Sequence, residues 1–101
     1  MIFKKEERDG GIILGIEGAM TIYEASEIRR KVLECLGSAR DLTLDINAVT
    51  DCDTSGLQLL YAMNQTDAAE GGPIKIERFP KAVIDAIDRI GFKPGDFGIE
   101  K

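Results

Sequence analysis

Histidine and tryptophan are both missing from this 101-residue chain, which has only two cysteines, three prolines and 6% aromatic residues. Without histidine it lacks the commonest general base and metal ligand, which argues against hydrolytic triads and zinc centres. Cys35 and Cys52 form neither a Cys-x-x-Cys pair nor a metal-ligand spacing, so no metal site is expected. Cys35 lies on the apolar side of a helical pattern and reads as core. Cys52 lies in a loop and is expected to be the more accessible of the two. No apolar run approaches the ~20 residues of a membrane span. The first eight residues, Met-Ile-Phe-Lys-Lys-Glu-Glu-Arg, lack the apolar centre of a signal peptide. A cytoplasmic location without direct membrane insertion is the expectation. Basic residues are outnumbered 13 to 18, for a formal charge of −5, which disfavours nucleic acid as a partner.

Several catalytic signatures are also missing. There is no Gly-x-x-x-x-Gly-Lys-Ser/Thr loop and no Gly-x-Ser-x-Gly elbow. The glycines at 10, 11, 15 and 18 do not fit a dinucleotide fingerprint. Asp51 and Asp53 invite a magnesium reading, but two loop carboxylates more often cap a helix or face solvent. Neither a cofactor nor intrinsic catalysis is expected.

What is present reads as one domain with a modest core. Residues 2–8 form a strand, and Asp9-Gly10-Gly11 has hairpin-turn chemistry. Residues 12–16, Ile-Ile-Leu-Gly-Ile, suit a central strand, closed by Gly18. A helix starts near Thr21 or Ile22, with Ala25, Ile28, Val32, Cys35 and Leu36 at helical spacing, and ends at Gly37. Leu42, Leu44 and Ile46 line one face of a third strand. A second helix is predicted from about Thr54 to Glu70, with Leu57, Leu60, Tyr61, Asn64 and Ala68 toward the core and Leu59 and Met63 facing away. Those two outward residues read equally as ordinary surface or as part of a docking surface. Gly71-Gly72-Pro73 closes this helix. Ile74 to Glu77 is a short strand, and Pro80 opens a third helix striped by Val83, Ile87 and Ile90 and stopped by Gly91. An irregular tail over 93–101 is expected, pinned by Phe92 and Phe97. The order β-β-α-β-α-β-α implies an α/β domain with a mixed four-stranded sheet and helices packed against it.

Charge is uneven along this order. From Asp41 through Ile74 there are six acidic residues and no basic one, so a partner on that surface should be neutral or basic. Within this stretch, Asp51, Asp53, Thr54 and Ser55 crowd the start of the second helix, directly before Gly56. Short oxygen-bearing side chains suit a helix start, because they accept from amides that lack intrahelical partners. A hydroxyl here is therefore a cap or a regulated site.

Leu44-Asp45-Ile46-Asn47-Ala48-Val49, followed by Asp53-Thr54-Ser55-Gly56-Leu57 and Leu60, resembles the STAS domain family, which includes bacterial anti-sigma factor antagonists. The resemblance covers roughly residues 10–92. It implies a non-enzymatic, protein-binding module of transcription regulation. Ser55 matches the serine that partner kinases phosphorylate, with Thr54 as second choice. The implied docking surface comprises Asp51, Asp53, Thr54, Ser55, Gly56, Leu59 and Met63. The implied partner is a serine kinase or anti-sigma factor of ATPase fold. Thr21 stands where classical antagonists carry an acidic residue. That variation is more like chemotaxis-linked STAS adaptors, or the STAS subunit of lipid-transporting ABC systems, which would dock an ABC-transporter ATPase subunit without obligatory phosphorylation. A phosphate on Ser55 is expected to be favoured by the helix dipole and opposed by Asp51 and Asp53, leaving the fold intact.

Overall fold

The computed structural model describes residues 2–8, 10–37, 41–65, 67–68 and 72–97. Strand β1 (Ile2–Arg8) pairs antiparallel with β2 (Gly11–Met20), from Ile2 opposite Glu17 to Arg8 opposite Gly11. Gly10, at φ 84°, supplies the left-handed turn residue. Asp9, the first residue of the expected turn, lies outside the described residues. Ile12, Leu14 and Ile16 are buried, and the residues between them are half-buried, so one face of β2 carries the core.

Helix α1 (Ile22–Leu36) begins at Thr21, whose hydroxyl accepts from the Tyr23 N–H while Glu24 reaches back to the Thr21 N–H. This capping box fixes the helix start at the boundary the sequence suggested. Ile28, Val32 and Cys35 point into the core. Strand β3 (Asp41–Asp45) lies parallel to β2, with Leu42 and Leu44 buried.

Strand β4 (Val49–Cys52) pairs parallel with the last residues of β2. This fifth strand of the main sheet is additional to the four expected. Only Val49 and Cys52 of its four residues are buried, too short an alternation to stand out in the sequence. Its partner exists because β2 does not close at Gly18. Instead Gly18, at φ 108°, bends the strand, its N–H donates to the Ala48 carbonyl, and the register shifts between Gly18 and Ala19.

Helix α2 spans Thr54–Asn64, ending earlier than Glu70. Beyond Met63 no large apolar residue follows until Ile74, so a longer helix would bury little, and Asn64, Thr66 and Asp67 are weak helix formers. Two-residue strands β5 (Asp67–Ala68) and β6 (Gly72–Pro73) pair antiparallel instead. Residues 69–71, where the helix end was expected, lie outside the described residues.

Strand β7 (Lys75–Glu77) pairs parallel with β3, giving the order β1-β2-β3-β7 with β4 also on β2. Helix α3 (Lys81–Ile90) buries Val83, Ala86 and Ile87 and ends at Gly91, φ 96°. The expected irregular tail folds into a 3-10 turn over Pro94–Phe97. Phe97 is fully buried and meets Phe92 edge-on, with ring centroids 5.4 Å apart. Tyr61 joins this cluster at 40% exposure rather than entering the core. Residues 98–101 lie outside the described part.

Candidate functional site

Three chain segments converge where β4 delivers the chain to α2. The Asp53 N–H donates to the Met20 carbonyl at 3.3 Å, so the end of β2 and the start of α2 are stitched together. Asp53 is extended (φ −110°, ψ −174°) and is the N-cap of α2. One carboxylate oxygen, Oδ1, accepts from the Gly56 N–H at 3.0 Å. The other, Oδ2, accepts from the Ile22 N–H at 3.1 Å, in the first turn of α1. One carboxylate therefore caps two helices at once. Both termini carry unpaired amides and the positive end of a helix dipole, so an anionic acceptor satisfies both.

Gly56 makes the close approach possible. A Cβ there would stand 2.1 Å from the Met20 carbonyl oxygen and 3.0 Å from the Cys52 sulfur. No side chain fits without moving β2 or α2. Beneath it, Cys52 is more exposed than Cys35, as expected, yet at 8% against 2% both are buried, because α2 and α3 both pack against β4. Burial, followed by the negative charge of Asp53, pushes its thiol up to about 11. Burial likewise raises the Cys35 thiol. At the neighbouring α1 start, hydrogen bonds from the Thr21 hydroxyl, then from its backbone N–H, hold the Glu24 carboxyl below its ordinary value.

Because Asp53 does the capping, the hydroxyls beside it are left over. Thr54 is exposed and Ser55 half-buried. Neither side chain makes a hydrogen bond within the described residues. Ser55 lines a cleft of about 380 Å³ between α1 and α2, together with Ile22, Ala25, Ser26 and Arg29 of α1 and Gln58 of its own helix. Leu59 lines the same cleft and continues with Arg29 into a second hollow beside Leu33, Leu36 and Ala62.

The residues picked from sequence do not form one surface. Ser55 and Leu59 line the α1–α2 cleft. Asp51, which is exposed, and Asp53 line a separate hollow beside β4 and α3, together with Thr50, Asp85 and Arg89. Thr54 is exposed at the first position of α2. Gly56 is buried and shapes the junction. Met63, expected to face outward, is 5% exposed. Helix α2 is covered by α1 on one flank and contacts β7 and α3 as well, so its apolar arc is wider than a single sheet-facing stripe.

Ile22 and Tyr23, 64% and 89% exposed beside the shared cap, and Arg29 in the cleft are not among the site residues expected from sequence. Their signal was faint: two large apolar residues before the helical stripe begins, and one cation among several on α1. Among the described residues, no helix is long and apolar enough to cross a membrane.

Comparison with known proteins agrees with this architecture. A family model described as "Mlab, STAS domain" matches residues 3–94. The anti-sigma-B factor antagonist of Bacillus subtilis (strain 168) is 27% identical over 90 residues, spanning 89% of this chain and 81% of that protein. The crystal structure of an anti-sigma factor antagonist from Mycobacterium paratuberculosis superposes with a TM-score of 0.73 at 21% identity, over 89% of this chain and 77% of the other. The anti-sigma factor antagonist SpoIIAA in its unphosphorylated form gives 0.63 at 15% identity, over 92% and 84%. These two structures share the fold: a small α/β domain with a mixed sheet.

Proposed function

From the premise that the chain belongs to the STAS domain family, we propose that it is a non-catalytic regulatory module of the anti-sigma factor antagonist kind. It docks a serine kinase or anti-sigma factor of ATPase fold at the α2 start, and phosphorylation of Ser55 releases that partner. One observation carries this reading. Asp53 caps α2 and adds an acceptor for the Ile22 N–H beside the Thr21–Glu24 box that caps α1, which leaves the Thr54 and Ser55 hydroxyls without a capping role. A hydroxyl at a helix start that does no structural work is free to be a docking contact or a phosphoryl acceptor.

The modification would transfer the γ-phosphoryl of partner-bound ATP to the Ser55 oxygen, with ADP leaving and the hydroxyl proton passing to a base on the partner. The ester adds about −1.5 to −2 charges. Burying it unpaired in an interface costs several kcal/mol. A loss of ~3 kcal/mol weakens binding roughly 150-fold, enough to separate the partners without altering the fold.

A second reading shares the surface and dispenses with the modification: a constitutive STAS subunit docked on an ABC-transporter ATPase, or a chemotaxis-linked adaptor. Thr21 favours it, since here a threonine committed to the α1 capping box occupies a position acidic in classical antagonists. Affinity capture from the native host with wild-type, Ser55→Ala and Ser55→Asp chains separates the two. A kinase-type ATPase lost only with the Asp chain supports the switch. A transporter ATPase retained by all three supports the constitutive subunit and sinks the switch.

A further inference from the structure

We infer that the cleft between α1 and α2 is a built-in receptor for a phosphate monoester carried on Ser55, with Arg29 as its cation and Gln58 as its second donor. The inference rests on the proposed modification of Ser55 and concerns what then happens to the phosphate. The sequence alone set that phosphate against Asp51 and Asp53. In the structure Asp51 and Asp53 both line the separate hollow on the α3 side, and the Asp53 oxygens face the backbone N–H groups of Ile22 and Gly56. Among the described residues no carboxylate lines the Ser55 cleft, and Arg29 is its one charged residue.

Arg29 is also uncommitted. Arg30 pairs with Glu34, Arg78 with Asp45, Lys81 with Asp85 and Lys4 with Glu17. Arg29 forms no ion pair or hydrogen bond with a described residue. Long helical side chains lean toward the N-terminus of their helix. Such a lean would carry the Arg29 guanidinium toward Ser26, which lines the same cleft as Ser55. Gln58 follows Ser55 by three positions and shares its face of α2. The guanidinium fork matches phosphate oxygens in pairs, and an amide donor beside it serves a third. At about 380 Å³, the cleft has room for the phosphate group and several waters at ~30 Å³ each. The modified chain ties α1 to α2 across the cleft and withdraws the cation that an acidic partner side chain would meet there.

The test uses the full chain with phosphoserine encoded at position 55, titrated by phosphorus NMR. The expected result is a second phosphate ionisation at least about 0.5 pH unit below the ~6 of a free phosphoserine. Arg29→Gln should abolish that displacement, and Arg29→Lys, which keeps the charge but not the fork, should retain part of it. Circular dichroism of each variant verifies the fold. Equal titration midpoints in the unsubstituted and Arg29→Gln chains would overturn the receptor. This readout needs no partner. Equal capture of a partner by modified and unmodified chains would instead sink the switch, whatever the NMR result.

Discussion

Replacing Asp53 separates the two jobs that crowd into residues 51–56. Its carboxylate receives the Gly56 N–H at 3.0 Å and the Ile22 N–H at 3.1 Å. Losing an N-cap costs about 1 kcal/mol, within a range of ~0.5–2. Losing a hydrogen bond to a charged acceptor costs roughly 1.5–3 kcal/mol, and less where water can reach the orphaned amide. Asp53 is half-buried, so the lower part of that range applies, and Asp53→Ala should cost about 2–3 kcal/mol. For a domain of ~100 residues this lowers Tm by about 10–20 °C. Asp53→Asn should cost less, ~1 kcal/mol, because Asn still caps α2 while its NH2 cannot accept from Ile22. Thr54→Ala and Ser55→Ala should stay within about 0.5 kcal/mol of the parent chain. Urea unfolding of all four variants, followed by circular dichroism with a shared m-value, reads these differences directly. If Ser55→Ala or Thr54→Ala proves as costly as Asp53→Ala, the hydroxyls are the caps and are not free for docking or modification.

Gly56→Ala places a Cβ 2.1 Å from the Met20 carbonyl oxygen, and ~3 kcal/mol or more of destabilisation should follow from the forced shift, measured by the same unfolding series. Met63→Ala, at a 5% exposed position, should cost about 2–5 kcal/mol, whereas Leu59→Ala, half-buried at the cleft, should cost clearly less. Equal losses would contradict the observed burial. The Cys52 thiol is raised from 9.0 to about 11 by burial and by Asp53. In the unfolded chain it ionises first, so its contribution to stability is full below pH 9 and is lost as pH rises toward 11. A Cys52→Ala chain should lack that part of the alkaline decline. Native protein at pH 8 should react slowly with a thiol-specific disulfide reagent, reaching full labelling only in denaturant.

Local chemistry was legible in the sequence wherever one residue type has one use. Gly37, Gly91 and Pro80 mark helix boundaries, and the apolar spacing from Ala25 places the start of α1 near Thr21 or Ile22. The alternation in β2 and β3 names the core face. Leu57 and Leu60 fix the buried side of α2, because period and hydrophobicity act on the chain directly. The pattern from Leu44 to Leu60 carries the family resemblance, and with it the expectation of a protein-binding module. The acid that would cap α2 was also within view, as one of four oxygen-bearing candidates.

Choosing among those candidates needed the third dimension. Asp53 is the cap because α1, 31 positions earlier, brings the Ile22 N–H to its second oxygen. Met63 and Cys52 are buried because α1 and α3 arrive from distant parts of the chain and cover them. Strand β4 exists because β2 bends at Gly18 and offers it an edge. Arg29 and Ser55 share a cleft although nothing in their spacing relates them. The sequence by itself determines which residues are apolar, which can turn and which can cap, since those are properties of a side chain and its immediate neighbours. Only tertiary structure decides which of several equivalent groups is satisfied and which is left over. Satisfaction depends on a partner delivered by another part of the chain, and the free hydroxyl of Ser55 beside an uncommitted arginine is one of those remainders.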